Sequence, residues 1–268
     1  LGNNKKNKLP GTNGNDVMLG LGGNDTLIGK NGNDKLVGGA GNDTVDGGRG
    51  KDKLLGGSGN DVLKPGNDLV TDVVNGGAGF DTVDYSNHSF AVQASLPDNA
   101  GAGPTVDVFI SVENVIGSAF ADNMRSFNGG FAFGNGGNDT LYGGGTLNAT
   151  DNGGIIRGDA GGDTLHMEFG NTLAWLQRGQ GADDIQNFSL GHDKLFIKLS
   201  DWGFGSTFEG EIFNSGFAVA PTLTATFQYR FDTGQLFFHD GAGSPVQLVA
   251  EFNNPVIVLS TQDFEFIL

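Results

Sequence analysis

Apolar and polar positions follow one another along residues 11–64 with a strict period of nine. Six units occur without a gap: GTNGNDVML, GLGGNDTLI, GKNGNDKLV, GGAGNDTVD, GGRGKDKLL and GGSGNDVLK. The last three residues of each unit predict a minimal strand whose middle, apolar side chain faces inward. So regular a period indicates a repeat architecture. The predicted inward residues are Met18, Leu27, Leu36, Val45, Leu54 and Leu63.

The first six residues of each unit predict a tight turn. Glycine stands at the first and fourth positions of every unit, where we expect it to permit positive φ and let the chain fold back with its carbonyls inward. Turn, strand, turn and strand then form a flattened coil of two units, and successive coils stack as parallel strands. The predicted fold class is all-β, a parallel β-roll, which is a β-solenoid of nonapeptide repeats.

The sixth position of every unit is an aspartate, and stacking aligns these carboxylates in columns. Strands of neighbouring coils lie about 4.8 Å apart, and two carboxylates at about that distance repel by roughly 3 kcal/mol at an effective dielectric constant of 20. A unit buries about one aliphatic side chain, worth roughly 1.5–3 kcal/mol, against an ordering cost of roughly 1.5 kcal/mol per residue. The predicted columns are Asp16, Asp34 and Asp52 on one side and Asp25, Asp43 and Asp61 on the other.

Hydrophobic burial therefore cannot hold the coils together, but a hard divalent cation between them would. Calcium accepts carboxylate and carbonyl oxygens alike in a flexible geometry, whereas magnesium demands a stricter octahedron. A glycine-rich turn with one aspartate offers the ligands that calcium prefers. The sequence thus predicts several calcium ions as cofactors.

The units GGAGNDTVD and GGSGNDVLK resemble the haemolysin-type calcium-binding repeat of RTX (repeats-in-toxin) proteins. The resemblance implies that calcium is held by the sixth-position aspartate and by turn carbonyls, notably those of the second and fourth residues. Similar units occur later in the chain, as GGAGFDTVD, GNGGNDTLY and GDAGGDTLH. The predicted carboxylate ligands are Asp16, Asp25, Asp34, Asp43, Asp52, Asp61, Asp81, Asp139 and Asp163. The predicted carbonyl ligands are those of Gly14, Gly23, Gly32, Gly39, Gly41, Gly48, Gly50, Gly57, Gly59, Gly77, Gly79 and Gly137.

Composition divides the chain into five regions. Pro65 and Gly66 interrupt the period of the first repeat block by two residues, and Asp72 stands in a degenerate unit where we expect no full site. Asp122 and Asp183 fit the motif weakly, and Asp122 precedes Asp139 by 17 residues rather than 18. The predicted regions are a linker (1–10), a first RTX block (11–84), a β spacer within the solenoid (85–117), a second, degenerate RTX block (118–187) and a C-terminal cap (188–268).

The spacer and the cap are predicted from strand patterns. In the spacer, apolar residues alternate at Phe90, Val92, Ala94 and Leu96, and again at Val106, Val108, Ile110 and Val112. The cap is predicted as an aromatic-rich antiparallel structure, because an open solenoid would expose its core and its strand edges. Asp232-Thr-Gly234 predicts a hairpin turn within it.

The C-terminal phrases GADDIQNFSLGHDKL, YRFDTGQLFF and LSTQDFEFIL resemble the ends of secreted RTX proteins and of serralysin-type peptidases. The resemblance implies a type I secretion signal in the last residues, the type I secretion machinery as a partner, and an extracellular location outside a bacterium. The polar start of the chain leads us to expect an upstream domain of a larger parent protein.

Composition and charge narrow the function. The 48 glycines among 268 residues fit a thin solenoid, and the net charge of −16 disfavours nucleic acid and anionic membranes while favouring cations. The chain has no cysteine, which excludes disulfides and thiolate metal sites, and no apolar run approaches the ~20 residues of a membrane span. Neither H-E-x-x-H nor G-x-S-x-G is present, so we expect no enzyme activity in this chain.

The leading hypothesis is a calcium-binding RTX module that folds on calcium binding after secretion and stabilises or exports a larger extracellular protein. One alternative is the non-catalytic tail of a secreted hydrolase, such as a serralysin-like metallopeptidase. Another is a polysaccharide-binding module, with aromatic residues as a stacking platform and polysaccharide as a partner. The candidate platform residues are Trp175, Trp202, Phe237 and Phe238, and the histidines His88, His166, His192 and His239 are interpreted as surface or cap residues.

Overall fold

The computed structural model of the protein is a parallel β-solenoid over most of the residues that it describes, with antiparallel pairing between residues 93–95 and 100–101 and among residues 226–230, 235–239 and 247–252. These are residues 1–96, 100–101, 107–127, 129–143, 154–167, 172–176, 181–188, 193–198, 212–214, 226–230, 235–239, 247–252 and 264–267. They contain strands, bridges and turns, and no helix among them is long and apolar enough to cross a membrane. The predicted all-β parallel β-roll is confirmed.

The strands are short, and three residues is the usual length. They are β1 (Lys8–Pro10), β2 (Val17–Gly22), β3 (Thr26–Ile28), β4 (Lys35–Ala40), β5 (Thr44–Asp46), β6 (Lys53–Ser58), β7 (Val62–Lys64), β8 (Val73–Ala78), β9 (Thr82–Asp84), β10 (Gln93–Ser95), β11 (Ala100–Gly101), β12 (Val108–Ile110), β13 (Asn114–Ile116), β14 (Asn123–Arg125), β15 (Phe131–Phe133), β16 (Thr140–Tyr142), β17 (Ile155–Arg157), β18 (Thr164–His166), β19 (Leu173–Leu176), β20 (Asp183–Gln186), β21 (Lys194–Lys198), β22 (Ile212–Asn214), β23 (Thr226–Arg230), β24 (Gln235–His239), β25 (Gln247–Phe252) and β26 (Phe264–Ile267).

Successive strands alternate between two faces of the solenoid. One face is an eleven-stranded sheet with the order β1-β3-β5-β7-β9-β13-β15-β17-β19-β21-β26. The other face consists of a five-stranded sheet, β12-β8-β6-β4-β2, followed by a ten-stranded sheet, β11-β10-β14-β16-β18-β20-β25-β24-β23-β22. Within the repeats, each strand pairs in parallel with the strand two positions later, as for β3 with β5 and β5 with β7.

The core is a line of single apolar side chains, one from each strand. All six residues predicted to face inward in the first block are buried, and five of them are fully enclosed. The line continues beyond the first block through Val74, Val83, Val115, Met124 and Leu141. Each lies two residues after the sixth-position residue of its turn, as the period predicts.

The N-terminal ten residues belong to the solenoid and are not the predicted linker. Strand β1 pairs in parallel with β3, and the amide of Asn7 donates a hydrogen bond of 2.7 Å to Asp25 Oδ1. The segment therefore adds a further strand beside the first full coil, where it covers an edge that would otherwise be open.

The role of the first-position glycine differs from the prediction. Positive φ occurs at the second and fourth positions of the turn, and Leu21 and Lys30 adopt it at the second position with φ of 82°. The first-position glycine is required by close packing instead. A β-carbon at Gly47 would lie 2.6 Å from Asp52 Oδ2 and 2.7 Å from the carbonyl oxygen of Pro65 in the next coil, so no other residue fits.

The interruption after Lys64 is absorbed inside a turn. Pro65 and Gly66 occupy the first and second turn positions, since their neighbours in the previous coil are Gly47 and Gly48. The two extra residues therefore fall between Gly66 and Asp72. Asp68 Oδ2 accepts a 2.7 Å hydrogen bond from the amide of Gly50, where regular coils use a backbone carbonyl, as in the Gly32 to Arg49 bond.

The spacer continues the solenoid with one change of strand order. Strand β12 pairs with β8 and is the last strand of the five-stranded sheet. The earlier strand β10 pairs with β14 and belongs to the ten-stranded sheet. The face opposite the eleven-stranded sheet is therefore divided into two sheets. The second predicted alternation is wrong at strand β12, because Phe109 is buried and Ile110 is 41% exposed, while Val112 is buried in agreement with it. The reason is that Asp107 occupies a sixth position, which makes Phe109 the inward residue.

The described C-terminal strands pair in both senses. Strand β24 is antiparallel to β23 and to β25, whereas β25 is parallel to β20 and β26 is parallel to β21. The predicted turn at Asp232–Gly234 lies outside the described residues. The predicted cap function of this region stays a prediction.

The single-file core makes each inward residue important for stability. We expect Leu54→Ala to lower the free energy of unfolding of the folded protein by about 2–5 kcal/mol, because Leu54 is fully buried between neighbouring coils. Val17→Ala is the matched control, since Val17 points outward and is 72% exposed. Chemical denaturation in excess calcium measures both, and equal losses would contradict the assignment of the inward face.

Candidate metal centre

The predicted aspartate columns exist and are joined by hydrogen bonds. In each column, a carboxylate Oδ1 accepts a hydrogen bond from the backbone amide of the preceding aspartate, at 2.7 Å for Asp16 to Asp34 and Asp34 to Asp52. The first column is Asp16, Asp34, Asp52, Asp72 and Asp107. The second column is Asp25, Asp43, Asp61 and Asp81. The third column is Asp122, Asp139, Asp163 and Asp183.

The second carboxylate oxygen is the chemically unusual feature of these columns. Because Oδ1 is held by a backbone amide, Oδ2 has a fixed direction, and in eight aspartates it is buried without any hydrogen-bond partner in the described residues. An unpaired buried carboxylate oxygen is strongly unfavourable. These eight are Asp25, Asp34, Asp43, Asp52, Asp61, Asp81, Asp139 and Asp163.

Asp16 differs from the other eight aspartates predicted as ligands. Its Oδ2 accepts hydrogen bonds from the amide and the hydroxyl of Thr12, at 2.6 and 2.9 Å, and the residue is only half-buried. Asp16 lies in the first turn of its column, so it has a neighbouring turn on one side. Its carboxylate is therefore partly satisfied by the protein itself.

The columns contain residues that the sequence analysis discounted or missed. Asp72 is buried within the first column in spite of its degenerate unit, and Asp107 extends that column. Asp107 Oδ2 accepts a 2.7 Å hydrogen bond from the Tyr85 hydroxyl. The signal that could have located Asp107 is its position two residues before a large apolar side chain, as in every regular unit.

Two further residues mark the limits of the columns. The second column is followed by Glu113, whose Oε2 accepts a 2.9 Å hydrogen bond from the backbone amide of Asp81. In the third column, Asp122 accepts hydrogen bonds from the amide of Val92 and from the amide and hydroxyl of Ser118. Asp122 thus has protein donors where its neighbours have none.

Backbone carbonyls of the turns point along the stack toward the next coil. The carbonyl oxygens of Gly39, Gly48, Gly32 and Gly137 each occupy the place where a β-carbon would lie on the matching glycine of the next coil. Of the twelve glycines predicted as carbonyl ligands, all except Gly14 have positive φ. Turn carbonyls therefore face the next coil, and at the first turn position a β-carbon on Gly47 would meet both a carboxylate oxygen, Asp52 Oδ2, and a carbonyl oxygen of the next coil, that of Pro65.

Asparagine at the fifth position has a structural role that the sequence analysis did not assign. Asn24 Oδ1 accepts a hydrogen bond from the amide of Asn42, and Asn42 Oδ1 accepts one from the amide of Asn60, both at 2.9 Å. These bonds hold the exposed edges of successive turns in register beside the buried aspartates. The Asn-Asp pair that recurs in the units is the sequence signal that could have predicted this row of asparagines.

Burial and mutual repulsion raise the pKa of many column carboxyls. Burial, with repulsion from neighbouring carboxylates, raises the pKa of Asp52 and of Asp61 to about 6 and that of Asp139 to about 7. For the same reasons the pKa of Asp72 and that of Asp183 are raised to about 8. In the absence of a cation, Asp72 and Asp183 therefore hold protons near neutral pH.

The donor set fits calcium. Hard oxygen ligands from carboxylates and carbonyls are what calcium prefers, and a dication would both satisfy the orphaned Oδ2 atoms and cancel the repulsion in each column. No three acidic or histidine side chains converge within the described part of the chain. A site here would therefore combine carboxylates with backbone carbonyls.

Comparison with known families agrees with this chemistry. The model of the RTX calcium-binding nonapeptide repeat matches four stretches, residues 10–40, 28–63, 71–84 and 131–146. Residues 10–63, 71–84 and 131–146 are therefore RTX calcium-binding nonapeptide repeats. These stretches contain the turns of Asp16 to Asp61 and those of Asp81 and Asp139, and they include Asp72, while the similar unit at Asp163 lies outside them.

Similarity to individual proteins is low. Among solved structures, the extracellular lipase LipA from Serratia marcescens is similar at 15% identity and a TM-score of 0.33, over 98% of this chain and 39% of the lipase. The chain thus spans well under half of that lipase. No curated protein sequence matches the chain.

The position of an aspartate within its column should decide its effect on calcium. We expect Asp34→Asn to weaken calcium binding about tenfold or more, because it removes a fully buried charge whose Oδ2 has no protein partner. Asp16→Asn is the control and should have a smaller effect, since Thr12 satisfies that carboxylate. Calorimetric titration with calcium measures both, and equal losses would refute the stacked-column arrangement.

The raised pKa values predict an unusual response of the metal-free protein to pH. A carboxyl whose pKa rises from 3.8 to about 8 on folding, as for Asp72 and Asp183, binds more protons folded than unfolded across that range. Stability of the metal-free fold should therefore decrease as pH rises from about 4 to about 8. Calcium affinity should increase over the same rise in pH, because calcium competes with these protons for the carboxylates.

Circular dichroism of metal-stripped protein between these pH values measures the first effect. Calcium titrations at several pH values measure the second. A metal-free protein that gains β structure with rising pH would contradict the assignment.

Proposed function

We propose that this protein is a calcium-dependent folding module of a larger extracellular bacterial protein. The observation that carries the proposal is the set of eight buried Oδ2 atoms without protein partners, stacked in turns whose backbone carbonyls face the next coil. Without cations, these columns are a source of instability. With calcium, the same columns become the main contact between coils.

Electrostatics and burial together support folding coupled to calcium. The coils bury single apolar side chains in a line, so the hydrophobic contribution of each coil is small compared with its ordering cost. The chain carries a net charge of −16, which expands an unfolded chain through self-repulsion. Ligands that bind only the folded state stabilise it by mass action, and calcium is such a ligand here.

The spacer divides the calcium sites into two blocks. The first column ends at the Tyr85–Asp107 hydrogen bond, and the second is followed by Glu113. The third column begins at Asp122, whose carboxylate is satisfied by Val92 and Ser118. The segment between the blocks thus ends the first column and begins the third with protein donors to a carboxylate, and it replaces the next aspartate of the second column by Glu113.

Export gives this coupling a biological purpose. Extracellular calcium modules work at ~10⁻⁴–10⁻³ M calcium, well above cytosolic levels, so the chain would stay unfolded until it has left the cell. We propose that the type I secretion machinery exports it in that state, and that folding outside stabilises an upstream domain. The C-terminal strands β23, β24 and β25 would then cap the last coils, and the acidic and apolar C-terminus would carry the secretion signal.

The main alternative is that the chain is the non-catalytic tail of a secreted hydrolase. The chain has no H-E-x-x-H or G-x-S-x-G motif, so any hydrolase activity would belong to the parent protein. Reading the coding sequence upstream of Leu1 for either motif tests this alternative, which is compatible with calcium-dependent folding.

The proposal predicts a cooperative transition in calcium. We expect far-UV circular dichroism to show little β structure in chelator and a cooperative gain of β signal as calcium rises to about 10⁻⁴–10⁻³ M. Magnesium is the control and should give little signal at the same concentrations, because its octahedral geometry fits carbonyl-rich turns poorly. A full β spectrum in chelator would refute folding coupled to calcium.

A further inference from the structure

A polar cavity lies beside the aspartate columns and shares Gly48, one of the predicted carbonyl ligands, with them. It has a volume of about 260 Å³ and lies where the segment after β9 folds over the turn between β7 and β8. Asp46, Lys64 and Asp84 line it from equivalent positions on the adjacent strands β5, β7 and β9. Lys64 Nζ contacts Asp84 Oδ2 at 2.7 Å.

His88 is the decisive residue of this cavity. Sequence patterns alone indicated a surface or cap position for His88, but it is only 7% exposed, and neither of its ring nitrogens makes a hydrogen bond of normal distance and angle in the described residues. Its ring is fixed by edge contacts with Tyr85 and Phe90, with centroids 4.7 and 4.9 Å apart. The Gly66 backbone lies near enough to raise the pKa of His88 without forming such a bond, so a ligand can still supply the hydrogen bonds that the buried imidazole lacks.

The imidazole is neutral near neutral pH. Burial lowers the pKa of His88, against the opposing influence of the Gly66 backbone and of the carboxylates of Asp68 and Asp84. A neutral imidazole offers one N–H donor and one acceptor nitrogen. A hydroxyl group both donates and accepts, so adjacent hydroxyls of one ligand satisfy both nitrogens.

The charges around the cavity favour a neutral ligand over a charged one. Asp46 and Asp84 oppose Lys64 and the exposed Arg49 at the rim, so the charges of the lining residues cancel, while Asp68 acts on His88 from outside the lining. An anion or a cation would meet like charges as well as opposite ones and would gain little net attraction from the lining. The carboxamides of Asn67 and Asn87 add polar groups at the exposed rim, which favours a neutral ligand with many hydroxyls.

We propose that this cavity binds one neutral sugar ring, with His88 and the Asp46–Lys64–Asp84 row as its hydrogen-bonding partners. The size of the cavity is just below the ~300–1,000 Å³ of pockets for drug-sized ligands, which suits a single ring. The cavity exists only in the folded solenoid, since Gly48 and Gly66 of two column turns form part of its wall. The inference therefore rests on the proposed function for its calcium dependence.

Sugar binding can be tested on the folded protein in excess calcium. The probes are neutral sugars, namely glucose, galactose, mannose and N-acetylglucosamine, titrated by calorimetry and by NMR of the imidazole nitrogens. We expect saturable binding of at least one sugar, with a shift of the His88 ring signals. His88→Phe, which keeps a ring between Tyr85 and Phe90, should weaken binding by about tenfold or more.

Matched variants separate the site from the fold. Lys64→Met should also weaken binding, while Lys53→Met, an exposed lysine on the opposite face, should leave it unchanged. If His88→Phe fails to fold by circular dichroism, Lys64→Met still decides the question. The proposal is overturned if none of the four sugars binds to the calcium-folded protein, or if both variants bind as the unmodified protein does.

The same measurements distinguish failure of the site from failure of the proposed function. Sugar binding by a protein that is already folded in chelator would refute folding coupled to calcium and support the site. A protein that folds on calcium but binds none of the four sugars would support folding coupled to calcium and refute the sugar site.

Discussion

The coils of this solenoid stack by placing like-charged carboxylates directly above one another in buried columns. Within a column, Oδ1 accepts a hydrogen bond from the backbone amide of the preceding aspartate, as Asp52 Oδ1 does from Asp34 at 2.7 Å. The carboxylate is thereby held in the register of the strands. This fixes the direction of Oδ2, which has no protein partner in eight of the columns' members. The arrangement is costly without a cation and strongly stabilising with one, because the same geometry that concentrates repulsion also concentrates ligands.

The glycine turns follow from this constraint. Coils must approach until carboxylates and carbonyls share the same gap, and a β-carbon at Gly47 would lie 2.6 Å from Asp52 Oδ2. Close approach, rather than backbone freedom, therefore requires glycine at the first position of the regular turns, whereas the interrupted turn has Pro65 there. At the second position Leu21 and Lys30 tolerate positive φ, which indicates that side chains there point away from the stack.

The segment between the two blocks is organised by the same rule with different chemistry. Tyr85 and Ser118 donate to a carboxylate oxygen of Asp107 and of Asp122, where the regular turns leave that oxygen bare, and Glu113 takes the place of an aspartate in accepting the amide of Asp81. The apolar core passes through this segment without a break, at Phe109 and Val115. The two blocks thus share one core but have separate aspartate columns, and the same segment carries His88 and the polar cavity.

The sequence by itself determined the solenoid, the inward residues and the aspartate columns of the first block, because a period of nine leaves only one register in which charges, glycines and apolar residues all align. It could not determine what happens where the period fails. The inward phase at Phe109 and the inclusion of Asp72 and Asp107 depend on hydrogen bonds between residues 20 and 35 positions apart, which no local pattern contains. The burial of His88 likewise arises only when the chain after β9 folds over a neighbouring turn. Local periodicity fixes structure where each coil repeats the last, and tertiary contacts decide it where the coils differ.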